Sequence, residues 1–180
     1  FCSHVPEEII HAAGGVPYRM RAVGSGGTAK GDIYFSSLNC SFVRHCFHKA
    51  VRGDFHFLDG IVFSNGCDHS RRMFDNWRHA DLAPSFRHMF VTPHVVNETA
   101  LRRFVGEVSG FMEKIEEHYG VAISEGALRN SIELYNRKRA LLAELYETRK
   151  GNPILIRGSE LLNLMLAMTM MPVEDAISLL

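Results

Sequence analysis

Two cysteines, Cys40 and Cys67, stand 27 residues apart in the stretch of the chain best suited to chemistry. Each follows small or polar residues and lies at the start of a predicted helix. A thiol in that position ionises readily, because the backbone N–H groups and the helix dipole stabilise the thiolate. Such a thiolate can act as a nucleophile, a zinc ligand or an iron–sulfur ligand. The function is therefore predicted to depend on these two thiols.

These chemistries stay open on the residues alone, beside the alternative that both are ordinary buried thiols, which free cysteines often are. A nucleophilic cysteine needs a histidine partner, and His45, His69 and His94 are available but belong to no recognisable motif. Zinc sites usually contain closely spaced pairs such as C-x-x-C, and the sequence has none. The cysteines of an iron–sulfur cluster can come from separate loops.

A buried strand is predicted between the two cysteines. The apolar run Gly60–Phe63 is typical of such a strand, and residues 64–66 are its turn. A helix from Ser36 or Ser37 to about Val51 is predicted before it, and a helix over Asp68–Arg78 after it. Ligands of α/β proteins bind at the ends of parallel strands, next to the helices that follow, so both cysteines are predicted at such a place.

The whole first half of the chain alternates between helices and strands. A helix is predicted to open at Pro6-Glu7-Glu8 and to stop at Gly14-Gly15, with a strand over Val16–Val23 and another over Phe86–Thr92. This order predicts an α/β fold with a flavodoxin-like parallel sheet and flanking helices. Residues 1–96 are predicted to form this N-terminal domain.

Residues 97–180 are predicted to be a helical linker segment. Apolar residues recur every three or four positions as far as Gly120, a second helix starts at the cap Ser124 and stops at Gly151-Asn152-Pro153, and a third runs from Ser159 to Pro172. The chain begins with Phe and ends in what resembles an unfinished helix. We therefore expect a truncated piece of a longer protein, with a second α/β domain missing.

The composition excludes several classes of protein. Hydrophobic residues make up 46% and charged residues 22%, as in globular domains, and 20 basic residues balance 20 acidic ones. That balance argues against binding to nucleic acid or to a membrane surface, and no apolar run is long enough to cross a membrane. Four irregularly spaced cysteines are not a secreted disulfide framework. We expect a cytoplasmic protein.

Several segments resemble one family of enzymes, in order and over nearly the whole chain. The chain resembles the N-terminal part of the 2-hydroxyacyl-CoA dehydratase family, which includes benzoyl-CoA reductase subunits and the D component of 2-hydroxyglutaryl-CoA dehydratase. The segments are VPEEIIHAAGGVPYRM, NCSFVR, FHFLDGIVFSNGCDHSRRMFDNW, VTPH, YNRKRALLAELYETRK and IRGSELL, and CDHSRRMFDNW is the most specific of them.

The resemblance implies a 4Fe–4S cluster with one iron left open to a ligand other than cysteine. Cys40 and Cys67 match two of the family's ligand positions, and the third family cysteine lies in a later domain that this sequence lacks. Ser41 is expected to hydrogen-bond substrate or cluster, with helix capping as the alternative. Asp68 and His69 are expected to tune the cluster through its ligands, without binding the iron themselves. The two remaining cysteines are not expected to be ligands: they are Cys2 and Cys46, of which Cys46 is assigned to packing.

The resemblance also implies one-electron reduction of a CoA thioester, leading either to dehydration of a 2-hydroxyacyl group or to reduction of an aromatic ring. The implied partners are a homologous second subunit and an ATP-dependent iron–sulfur activator protein, and the fragment alone is expected to be inactive. Two alternatives stay open. One is a non-catalytic paralogue that binds CoA or a partner, and the other is a zinc or thiol protein.

Overall fold

The computed structural model describes residues 1–151 and 153–180. Three helices come first, then two strands with one helix between them, and the elements after β2 are all helical. In chain order they are α1 Glu7–Ala12, α2 Ala29–Asp32, α3 Ser41–Val51, β1 Gly60–Ser64, α4 Asp68–His79, β2 Phe86–Phe90, α5 Glu98–Tyr119, α6 Glu125–Glu147, a 3-10 turn Thr148–Lys150, α7 Gly158–Ala167 and α8 Val173–Leu179.

The contacts divide the chain into two compact units. The first unit comprises Phe1–Val5 and Met20–Lys114, and the second comprises Pro6–Arg19 and Ile115–Leu180. A compact unit is defined by its contacts, whereas a domain is defined by a core that can fold alone. The boundary expected between residues 96 and 97 therefore stays a prediction.

A parallel pair of strands lies at the centre of the first unit. β1 pairs with β2 from Gly60 opposite Phe86 to Ser64 opposite Phe90. The middle of β1 is buried on both faces, which is why its sequence is a continuous apolar run rather than an alternation. The α/β character and the parallel direction predicted from the sequence are confirmed. The sheet has two strands within the described residues, so the flavodoxin-like order, which needs five, is not confirmed.

Aromatic rings fill the space between β1 and the helices that precede and follow it in the chain, α3 and α4. Phe47 of α3, Phe63 of β1 and Trp77 of α4 are all buried, and the Trp77 ring meets the other two edge-on. The indole N–H of Trp77 donates to the carbonyl of Ala83 at 3.2 Å, so the ring is buried without an unpaired donor. These contacts pack α3 and α4 against the strand.

A buried histidine helps to fasten α5 to β2. His88 of β2 stacks on Phe111 with ring centroids 4.9 Å apart, and its Nε2 lies 3.2 Å from a carboxylate oxygen of Glu107. Burial lowers the pKa of His88, the charge of Lys114 lowers it further, and Glu107 opposes both. The same oxygen of Glu107 accepts the backbone N–H of Val91 at 3.0 Å, which fixes the residue that follows β2.

The short helix α2 packs against α3 at a glycine. Gly31 is buried, and a Cβ built on it would lie only 2.3 Å from the backbone carbonyl oxygen of Arg44. The guanidinium of Arg44 in turn donates to Asp32 at 2.6 Å. Only glycine lets the two backbones come this close.

We expect Gly31→Ala to lower the free energy of unfolding by about 1–2 kcal/mol, because the added methyl group must push one helix backbone away from the other. Urea unfolding of the purified protein measures this. Gly26→Ala is the matched control, since a Cβ there would have no atom within 4 Å, and it should be neutral or slightly stabilising. Equal midpoints for the two variants would contradict the close approach.

The second unit is built around α6. This helix packs against α1 and α8, and its hydroxyl-capped start at Ser124 is as predicted, with the side chain accepting from the N–H of Ala127 at 3.1 Å. The buried hydrophobic residues of the unit come from its α-helices and from the loop before α6: they are Ile9, Ile115, Ile123, Tyr135, Leu161, Met168, Val173 and Ala176.

Two predicted elements are wrong. Residues 16–23 form no strand: Pro17 lacks an N–H to donate, and the N–H of Arg19 donates instead to the carbonyl of Thr169 at 2.8 Å. The helix predicted to start at Ser36 or Ser37 begins at Ser41, because residues 36–40 form a turn in which Asn39 donates to the carbonyl of Ser36.

The predicted long helices agree with the structure, as α4, α5 and α6 begin and end within a few residues of their predicted limits. Of the stop expected at Gly151-Asn152-Pro153, Asn152 lies outside the described residues. Across residues 1–151 and 153–180, the helices are all too short or too polar to cross a membrane.

Candidate functional site

Cys40 occupies the N-cap position of α3. Its backbone is extended, with φ −61° and ψ 144°, so it stands just before the first helical turn. The N–H groups of that turn have no partners within the helix, which creates a positive local potential at the thiol. The apolar residues two positions before and after it, Leu38 and Phe42, are both exposed. Cys40 is thus a half-buried thiol between two exposed apolar side chains.

Cys67 occupies the equivalent position on α4. It is exposed, and its Sγ accepts the backbone N–H of Ser70 at 3.4 Å. It follows β1 after the turn at Asn65 and Gly66, so the thiol lies just beyond the carboxyl end of a parallel strand. The predicted placement of both cysteines at helix starts is confirmed.

A hydrogen bond connects the two cysteine-bearing loops. Nδ1 of His69 lies 3.3 Å from Oδ1 of Asn39, and the amide nitrogen of Asn39 donates to the hydroxyl of Ser36 at 3.1 Å. His69 is two residues after Cys67, and Asn39 directly precedes Cys40. The first turn of α4 therefore contacts the loop that presents the other thiol.

Asn65 fixes the turn that carries Cys67. Its side-chain amide donates to the carbonyl of Thr92 at 3.0 Å, and its oxygen accepts both the N–H and the hydroxyl of Thr92 at 2.9 Å. Three hydrogen bonds thus tie the end of β1 to the segment after β2. Sequence reasoning placed Asn65 in a turn but gave no sign of this partner, which lies 27 residues further along the chain.

The other site residues expected from the sequence lie in the same two helical turns. Ser41 is the exposed first residue of α3. Asp68 is the first residue of α4, where its charge complements the helix dipole, and it lies 3.6 Å from Arg71 in an exposed pair. The roles of Ser41, Asp68 and His69 toward a ligand stay predictions.

Cys46 lies away from this site. It is fully buried in the core of the first unit, where burial raises the pKa of its thiol to about 12. A thiol that is protonated and surrounded by hydrocarbon is inert. This agrees with the assignment of Cys46 to packing.

A further thiol, Cys2, lies at the end of β1, which sequence reasoning did not foresee. Its Sγ is 3.4 Å from Nδ1 of His4, and the hydroxyl of Ser64, the last residue of β1, lowers the pKa of the thiol. The signal available in the sequence was the spacing C-x-H, which is too common to be informative alone. The structure adds the strand end against which the pair packs.

The described residues do not form a complete metal site by themselves. Within residues 1–151 and 153–180, no group of three or more His, Cys, Asp or Glu side chains is arranged to hold a metal ion. The site contributes two thiols, Cys40 and Cys67, from neighbouring loops. A metal centre held by these two would need further ligands from outside the described residues.

Comparison with known proteins gives consistent results. The family model described as 2-hydroxyglutaryl-CoA dehydratase, D-component, matches residues 2–180. One of the subunits of benzoyl-CoA reductase from Thauera aromatica is 29% identical over 96% of this chain and 45% of its own length. Lactoyl-CoA dehydratase subunit beta of Anaerotignum propionicum is 28% identical over 84% of this chain and 40% of its own length.

Another similar protein is (R)-2-hydroxyglutaryl-CoA dehydratase subunit beta of Acidaminococcus fermentans, 29% identical over 87% of this chain and 41% of its own length. The chain thus spans less than half the length of these curated relatives. The resemblance predicted from the sequence motifs is confirmed, and because the match covers all residues but the first, the chain belongs to the 2-hydroxyglutaryl-CoA dehydratase D-component family.

Proposed function

We propose that the chain is part of an iron–sulfur subunit of a 2-hydroxyacyl-CoA dehydratase or benzoyl-CoA reductase, in which Cys40 and Cys67 bind a 4Fe–4S cluster. One observation carries the proposal. Both cysteines occupy helix N-cap positions in the same α/β unit, and the hydrogen bond between His69 and Asn39 makes their loops neighbours. A nucleophile or a packing residue would not require a second thiol in an adjacent, equivalent position.

The donor set suits such a cluster. Thiolates are the ligands that iron–sulfur clusters use, and two helix N-termini stabilise the negative charge of the ligands and of the cluster. The N–H of Ser70 on Sγ of Cys67 is one of the contacts that set a cluster's reduction potential. Asn65 and Asn39 hold the two loops and so pre-organise the thiols for binding.

The remaining ligands are proposed to come from a second α/β domain of the full-length protein. The relatives are more than twice as long as this chain, which leaves room for such a domain. In the proposed full-length fold, the two strands described here are part of a larger, flavodoxin-like sheet.

The proposed substrate is a CoA thioester, as in the names of the relatives, which include benzoyl-CoA and lactoyl-CoA. When bound, the cluster would supply a single low-potential electron and an open coordination position. The residues of this chain would position it, exclude water through Leu38 and Phe42, and offer the Ser41 hydroxyl and the His69 ring as hydrogen-bonding groups beside it. Asp68 would complete the polar surroundings.

The relatives are named as subunits, so we propose a homologous second subunit as the partner. An ATP-dependent activator protein would supply the electron. All four cysteines are free thiols, which suits a reducing compartment such as the cytoplasm.

Metal analysis of the full-length protein, purified under argon, tests the proposal. We expect iron and acid-labile sulfide in equal amounts, and a broad visible absorbance that is lost on exposure to air. Zinc in place of iron would instead support a zinc protein. Protein without metal that still binds a CoA thioester would support a non-catalytic relative, and either result would overturn the cluster.

A further inference from the structure

We propose that Cys2 and His4 form a reactive thiol–imidazole pair at the end of β1, a modification site for soft electrophiles that includes neither of the two cluster thiols. The pair is independent of the proposed function, because neither residue is a proposed cluster ligand. Failure of one proposal leaves the other unchanged.

The geometry is that of an activated nucleophile. Such sites place a nucleophile within hydrogen-bond reach of a base, and a third group holds the base. Sγ of Cys2 lies 3.4 Å from Nδ1 of His4. The imidazole lies against Gly66, where a Cβ would lie 3.0 Å from Nδ1 and 3.2 Å from Cε1. Any larger residue at position 66 would displace the ring.

A buried hydroxyl completes the arrangement. Ser64 is fully buried, its oxygen accepts the backbone N–H of Gly66 at 3.4 Å, and its hydroxyl lowers the pKa of Cys2. The thiol itself is only half-buried and His4 is exposed, so a small reagent can reach the sulfur. The Cys2 sulfur is therefore next to the Ser64 hydroxyl on its buried side and accessible to solvent on its other side.

The electrostatics favour the thiolate. Burial raises the pKa of Cys2, but the hydrogen bonds from Ser64 and His4 and the charge of His4 outweigh it, and the pKa falls to about 7 from its ordinary 9.0. Half of the thiol is then ionised at neutral pH. By contrast, burial raises the pKa of Cys46 to about 12.

The chemical step is a simple substitution. The thiolate of Cys2 attacks an electrophilic carbon, a sulfur–carbon bond forms, and the leaving group departs with the electron pair of its own bond. With iodoacetamide as the probe, iodide is released. His4 accepts the thiol proton before the attack, so no oxidant or reductant is required.

The lowered pKa should make Cys2 react with an alkylating reagent faster than an ordinary thiol does. At pH 7 the ionised fraction is about fifty times that of a thiol with a pKa of 9.0. The intrinsic reactivity of a thiolate falls with its pKa, here by roughly eight-fold. Cys2 should therefore be alkylated about six-fold faster than an ordinary thiol at pH 7.

Iodoacetamide labelling of the full-length protein under argon, resolved by peptide mass spectrometry and repeated from acidic to alkaline pH, tests this. In the folded protein the labelling rate of Cys2 should be half-maximal near pH 7, whereas the same residue in denaturant should show the ordinary value of 9.0. Cys46 should label only in denaturant, because it is fully buried.

His4→Gln should move the midpoint for Cys2 upward, because glutamine cannot take the proton or carry the positive charge. His79→Gln removes an exposed histidine at the end of α4 and should leave the midpoint unchanged. An unchanged midpoint in His4→Gln, or equal midpoints for Cys2 in folded and denatured protein, would overturn the proposal. The second comparison uses the wild-type protein, so it holds even if His4→Gln does not fold.

Discussion

Cys40→Ala and Cys67→Ala are each expected to abolish most of the iron bound by the full-length protein. Each thiolate supplies one of a small number of bonds to the cluster, so removing one thiolate removes a large share of the ligation. Loss of one ligand in an exposed loop opens the cluster to water and oxygen. Iron, acid-labile sulfide and visible absorbance per protein chain, measured under argon, give the result.

Cys46→Ala is the matched control for these variants. Cys46 lies on the same helix as Cys40, but it is fully buried and its thiol is protonated. The control should keep its iron and lose only the stability expected of a small cavity, about 1 kcal/mol. Normal iron content in both Cys40→Ala and Cys67→Ala would show that the cluster assignment is wrong.

A second pair of variants separates loss of a ligand from loss of structure. Both cysteines are N-cap residues, and serine is among the best residues for that position. Cys40→Ser and Cys67→Ser should therefore retain the helices while offering iron a hard oxygen instead of a soft thiolate. An unchanged circular dichroism spectrum together with low iron would assign the effect to ligation.

The sequence predicts this site well where the signal is local. The apolar run of β1 and the polar residues that precede α4 predict a strand, a turn and a helix start around Cys67, and these are present. The periodicity of α5 and the cap at Ser124 are equally local, and both agree with the structure. Each of these features is decided within about ten residues of chain, by backbone and capping preferences.

The links that hold the site together could not be predicted, because they join residues far apart in the sequence. Asn39 meets His69, and Asn65 meets Thr92, through side-chain hydrogen bonds that leave no periodic signal. The failed strand over residues 16–23 has the same cause. Its apolar spacing suits a strand, but Arg19 finds its backbone partner in Thr169, 150 positions later.

The sequence likewise predicts the local role of Glu7 and Glu8 but not their partners far along the chain. Both acids were predicted to serve the start of a helix, and they do lie in the first turn of α1. The basic residues of α6 lie in another of the segments that resemble the family, YNRKRALLAELYETRK. The structure pairs the two segments: Nζ of Lys138 donates to Glu7 at 3.3 Å, and Arg139 donates to Glu8. These segments support the second unit rather than the thiol site.

Lys138 is the critical member of these pairs because it is buried. Its side chain is 9% exposed, against 26% for Glu7. Its ammonium group also lies 4.3 Å from the ring centroid of Tyr135. Burial raises the pKa of Tyr135, and the carboxylates of Glu7 and Glu8 raise it further, so the phenol stays neutral. The ammonium thus depends mainly on Glu7 for its counter-charge.

Glu7→Gln is therefore expected to lower the free energy of unfolding by about 3 kcal/mol, because it leaves a buried ammonium without its anion. Urea unfolding at neutral pH measures the loss, and Glu125→Gln is the matched control on an exposed pair with Arg129. The control should cost less than about 1 kcal/mol. Iron content per folded chain should not change in either variant, since neither glutamate belongs to the unit that carries Cys40 and Cys67. A loss in Glu7→Gln no larger than that of the control would mean that water, rather than Glu7, compensates the charge of Lys138.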